Sequence, residues 1–137
     1  MHSLVLGVVK TALAAATVAA PASNYTVAPQ QAAAPAASGS AQRTAQGMLG
    51  RYGWSSGQFS CLSPLWERES GWSVTAENPG SGAYGIPQAL PGSEMASAGP
   101  DWRTDAATQI TWGLGYIRGR YGSPCAAWAH EEAYGWY

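Results

Sequence analysis

Residues 76–92, AENPGSGAYGIPQALPG, can be neither a helix nor the interior of a strand. Gly80, Gly82, Gly85 and Gly92 impose little backbone preference, and Pro79, Pro87 and Pro91 each remove a backbone donor. Such a run must be largely loop. Apolar residues at helical spacing flank it on both sides, and no run alternates with the period of a strand. Upstream, Ala45, Met48, Leu49 and Tyr52 recur on one helical face, with Gly53 as a stop. Ser55-x-x-Gln58 then fits a capping box ahead of Phe59 and Leu62, and Pro64 either disturbs that helix or restarts it with Ser63 as N-cap. Downstream, Thr104 is expected to cap a last long helix, with Asp105 at its positive end. Ile110, Leu114, Ile117 and Tyr121 form the buried stripe of that helix, and Gly122-Ser123-Pro124 ends it. The folded part, residues 44–137, reads as mainly α.

What precedes it cannot build a core. Residues 23–43 are Ala, Pro, Ser and Gln with almost no large apolar side chain, which predicts a disordered linker. Residues 1–22 read as a secretory signal peptide: an apolar run with Lys10 ends in the small-x-small pattern Ala20-Pro21-Ala22. Its uninterrupted apolar stretch, residues 11–20, is too short to span a bilayer, so no integral membrane segment is expected in the mature chain. In an exported chain the only two cysteines, Cys61 and Cys125, favour one disulfide. Closing that loop is expected to stabilise a domain this small by roughly 4 kcal/mol on the chain-entropy model. A net charge of −1 gives no nucleic-acid surface and no polybasic patch. Seven Trp and seven Tyr against one Phe suit a surface that recognises groups with polar edges and apolar faces, such as sugars.

The stretch LWERESGW, residues 65–72, holds two glutamates among bulky apolar residues. At 100° per residue, Leu62, Leu65, Trp66 and Glu69 fall on one stripe, while Glu67 falls off its edge. Glu67 is therefore expected in solvent and Glu69 on a buried face. A carboxyl there is costly unless it is neutral or well hydrogen-bonded. Desolvation raises its pKa and keeps a proton available for general acid catalysis.

Three segments in order carry a family resemblance: Glu69-Ser70-Gly71, then Gly82-Ala83-Tyr84-Gly85-Ile86-Pro87-Gln88 with its downstream Pro91, then Gln109-Ile110-Thr111-Trp112-Gly113-Leu114-Gly115-Tyr116-Ile117. Together they resemble the goose-type-lysozyme-like (SLT-type) lytic transglycosylases that cut bacterial peptidoglycan, and most of all the small secreted transglycosylase-like domains of actinobacteria. The chain departs from that pattern at Pro79, where the family has Ser, at Pro87, where it has Met, and at Gln109, where it has Asn. Ala127-Trp128-Ala129 stands where the family has Ala-Tyr-Asn.

The resemblance implies a small lysozyme-like domain with Glu69 as catalytic acid/base. It places Gln88 and Tyr116 on the substrate, with Ser70, Tyr84 and Gly85 beside them. The implied reaction is cleavage of the MurNAc-β-1,4-GlcNAc bond to leave 1,6-anhydromuramyl ends. The partner would be peptidoglycan glycan strands, the enzyme a secreted, extracellular or wall-associated monomer, and the cofactor none. Because His130 is the only histidine after the signal, no metal site is expected. His130, Glu131 and Glu132 read as a solvated cluster at a helix end. Glu69 then has no evident carboxylate partner; Glu94, Asp101 or Asp105 would serve if the reaction were hydrolytic. Alternative functions are a hydrolytic muramidase and a non-catalytic wall-glycan-binding module.

Overall fold

Leu62, Leu65 and Trp66 on one helix and Ile110, Leu114 and Ile117 on another are fully buried against each other's surroundings, and the rest of the fold is arranged around them. Each such side chain contributes about 1.5–3 kcal/mol by leaving water. The computed structural model describes residues 27–137, with side chains from residue 37 onward. The expected signal peptide and the first linker residues lie outside the described residues. Four α-helices follow in order: α1 (Val27–Met48), α2 (Phe59–Ser70), α3 (Ala106–Arg120) and α4 (Pro124–Tyr134). Short 3-10 turns occupy Leu49–Tyr52, Ser56–Gln58 and Gly92–Ser97. Among the described residues no strand forms; isolated bridges pair Glu77 with Tyr84 and Tyr84 with Ala89 inside the Gly/Pro-rich loop. The protein is mainly helical, with one disulfide, Cys61–Cys125. No described helix is long and apolar enough to cross a membrane.

Several boundaries differ from the sequence reading. Helix α1 runs through most of the expected linker, and Ala41 and Ala45, one turn apart, are buried. Alanine has the highest helix propensity, and its small side chain lets this turn lie close to the core. Ser38 Oγ also donates to the Gly71 carbonyl at 3.0 Å, so packing begins before Thr44. The expected capping box does not form: Ser55 makes no side-chain cap, and Gln58 Oε1 accepts the Cys125 amide at 2.9 Å. Helix α2 passes through Pro64 without restarting. The ring removes only the bond to the carbonyl of Ser60, an exposed residue of the first turn that water can reach. Asp105, not Thr104, caps α3: its Oδ2 accepts the Thr108 amide at 2.9 Å.

Gly122-Ser123-Pro124 ends α3 but also starts a further helix. Ser123 Oγ caps α4 by accepting the Ala126 amide, and Pro124 occupies its first turn. Helices α2 and α4 are the most extensively packed pair, and the disulfide joins their first turns. Helix α3 reaches α2 through Gly113: a Cβ there would stand 2.6 Å from Trp66 Cζ2 and 3.0 Å from Pro87 Cβ. That close approach sets Trp112 and Tyr116 beside the end of α2.

Candidate active site

Glu69 occupies the last turn of α2, just before Gly71 ends the helix in the left-handed conformation at φ 63°. Glu67 is exposed and Glu69 half-buried, as the wheel requires. Burial, above all, raises the Glu69 pKa to about 8 from 4.5; a hydrogen bond to Glu131 and the Glu131 charge add to it, and Arg68 opposes. The negative end of the α2 dipole acts in the same direction. Near neutral pH this carboxyl holds its proton.

It lines a cleft of about 490 Å³, a volume within the usual range for small-ligand sites. The loop contributes Pro87, Gln88 and Leu90, the following 3-10 turn Glu94, helix α3 Trp112, Tyr116 and Arg120, and the end of the chain Trp136 and Tyr137. Trp112 and Tyr116, one turn apart, stack with centroids 5.2 Å apart and planes at 16°, forming an aromatic platform. Leu90 and Trp136 are large apolar residues left exposed, at 59% and 50%. Arg120 lies 5.9 Å from the Tyr116 ring and 5.6 Å from that of Trp136. The Tyr137 hydroxyl accepts from Trp66 Nε1 and donates to the Pro87 carbonyl, both at 2.8 Å, tying α2 to the loop across the cleft. Its burial raises the Tyr137 pKa well above 10, so it serves as a neutral strut.

The residues expected at the site divide into two groups. Glu69, Gln88 and Tyr116 meet in the cleft wall. Gln88 sits at φ 56°, a region that non-glycine residues rarely adopt, and its Nε2 donates to the carbonyls of Ala76 (3.1 Å) and Gly85 (3.0 Å). With those donors engaged, its Oε1 acceptor is what it can offer a ligand. Ser70, Tyr84 and Gly85 take no part in the wall. Ser70 Oγ donates to the Ile86 carbonyl at 2.8 Å, and Tyr84 Oη to the Arg103 carbonyl at 2.7 Å. Gly85, at φ 78°, leaves the space that Gln109 fills, since a Cβ there would be 2.6 Å from Gln109 Oε1.

Gln109 is itself fully buried. Its Oε1 accepts the Ile86 amide at 2.9 Å, and its Nε2 donates to the carbonyls of Val74 (2.9 Å) and Trp102 (2.8 Å). These three hydrogen bonds hold the shape of the loop, and the loop presents Gln88.

The expected solvated cluster comes apart. Glu132 is exposed, and His130 Nδ1 lies 2.8 Å from the Trp136 carbonyl oxygen. Glu131 is 2% exposed, within hydrogen-bonding reach of Glu69, and its Oε2 lies 3.5 Å from an Arg68 guanidinium nitrogen. Glu131 is thus a carboxyl neighbour of Glu69, but it does not line the cleft. Of the other acids considered, Asp101 accepts from Thr108 Oγ1 at 2.7 Å and Asp105 caps α3, so both serve the helix start. Only Glu94 joins Glu69 in the cleft wall.

The signal for Glu131 is weak in sequence, because the stripe that it shares with Pro124 and Ala127 is short and holds no large apolar side chain. Comparison with protein-family models, with curated proteins and with solved structures gives no match to this chain.

Proposed function

We propose that the protein is a secreted peptidoglycan lytic transglycosylase with Glu69 as its single acid/base. The observation that carries this reading is a carboxyl protonated near neutral pH in a cleft floored by stacked aromatic rings. Glu69 donates its proton to the β-1,4 glycosidic oxygen as the C1–O bond breaks. The resulting carboxylate then takes the proton of the muramyl 6-hydroxyl, whose oxygen bonds to C1. The products are a free GlcNAc hydroxyl and a 1,6-anhydromuramyl end, with Glu69 protonated again. Stacking on Trp112 and Tyr116 would orient a sugar ring, and Gln88 Oε1 would accept from a hydroxyl or acetamido N–H.

Glu131, the carboxyl beside Glu69, is buried outside the cleft wall and so is not placed to serve as the second carboxylate of a hydrolytic pair. The disulfide suits the oxidising surroundings of an exported protein. Hydrolysis remains the second reading because Glu94 stands in the same cleft wall, where it could activate water. Mass spectrometry of peptidoglycan digested by the protein separates the two. Termini one water lighter than hydrolysed ends are expected; reducing ends alone would make it a muramidase. Wall retention without released product would make it a binding module.

A further inference from the structure

Glu131 is the most anomalous ionisable residue outside the cleft wall. It lies on the face of α4 that packs against α2, is 2% exposed, and its Oε1 is buried without a hydrogen-bond partner. A carboxylate oxygen in that position is costly unless a donor reaches it. The neighbouring groups narrow the choice of donor. Arg68, from α2, lies at Oε2. Tyr121, which follows α3, does not reach Oε1, since its own buried hydroxyl is also without a partner, and the hydroxyl of Tyr137 is already committed to the Pro87 carbonyl. Arg120 rests on aromatic rings, and His130 Nδ1 on the Trp136 carbonyl. The Glu69 carboxyl remains, and it can donate only while protonated.

We propose that Glu131 is a positioning residue that accepts the Glu69 O–H through its otherwise unpartnered Oε1, while Arg68 holds its other oxygen, so that the carboxyl lining the cleft is fixed in orientation. Burial of Glu69, first, and then the hydrogen bond and charge of Glu131 favour the protonated form of Glu69. Arg68 touches Glu131 Oε2, and of the two carboxyls only Glu69 lines the cleft. Glu131 thus does for the acid what a second catalytic carboxylate would not: it holds the proton in place and orients it. The catalytic consequence rests on the transglycosylase reading; the location of the proton does not.

The test is a ¹³C NMR titration of the glutamate carboxyls in the full-length protein, beside the pH profile of glycan cleavage. Glu69→Gln assigns the resonance. In Glu131→Gln the new amide donates to Glu69 and favours its ionised form. The Glu69 midpoint should then fall by about two pH units from about 8, lowering cleavage at pH 7 about tenfold through the lost protonated fraction. Tyr121→Phe should leave the midpoint in place. Arg68→Gln, at an exposed position, should raise it, and serves if Glu131→Gln fails to fold. An unmoved midpoint in a folded Glu131→Gln, or in Arg68→Gln, overturns the proposal. A shifted midpoint with no glycan cleavage by the wild type retains it and discards the proposed function instead.

Discussion

At the residue scale the fold carries a carboxyl in a place that costs stability. The native state raises Glu69 to about 8 from 4.5, so between those values it holds a proton that the unfolded chain has released. Its stabilising contribution is therefore complete below about pH 4.5 and is lost as pH rises toward about 8. Thermal melts of the wild type should fall across that window. Glu69→Gln, which cannot ionise, should flatten the fall and melt higher than the wild type at pH 8; equal slopes would contradict the assignment. Gln109→Leu should be costly at every pH. It strands the Ile86 amide and the carbonyls of Val74 and Trp102, and a loss of at least about 2 kcal/mol is expected in denaturant unfolding. How legible each residue was follows from the range of its interactions. Helical spacing alone separated Glu67 from Glu69, because both answer to the same local period. Glu131 was missed because its burial comes from α2 packing on α4, a contact without a local pattern.

At the element scale, Gly113 decides how α3 meets α2. A methyl at this position would press on Trp66 and Pro87 together, and neither neighbour is the free end of a flexible chain. Gly113→Ala should destabilise by about 1–3 kcal/mol despite its better helix propensity, measured by chemical denaturation. It should also disturb the Trp112–Tyr116 platform, so a gain in stability would show that α3 can shift without consequence. The long periodic stripe of α3 was readable, since Ile110, Leu114 and Ile117 repeat over several turns. The cap at Asp105 was displaced by one residue because Thr104 and Asp105 are both good caps, and only geometry chooses. Helix α1 was hidden for the opposite reason. An Ala-rich stretch has no large side chain to mark a buried face, yet Ala41 and Ala45 pack because they are small.

At the scale of the whole molecule, the disulfide and the Gly/Pro-rich loop divide the work. Cys61 and Cys125, separated by 64 residues, fasten α2 to α4, the two helices that bring Glu69 and Glu131 together. Reduction should lower stability by about 4 kcal/mol on the chain-entropy model and should also lower activity, since it loosens that pair. Melting and activity that ignore dithiothreitol would show the bridge to be dispensable. The loop, held by Gln109, Ser70 and Tyr137, closes the other side of the cleft and carries Gln88. Its presence was evident from composition, but not its shape, which is set by hydrogen bonds from residues far away in the chain. The central claim is that Glu69, kept protonated, is the group that cleaves glycan. Release of soluble muropeptides from purified sacculi, followed against pH for the wild type and Glu69→Gln, tests it most directly. Activity that falls as pH rises past about 8, and that Glu69→Gln lacks at every pH, is the predicted result. Release by Glu69→Gln, or wild-type activity that climbs through that pH, would contradict it.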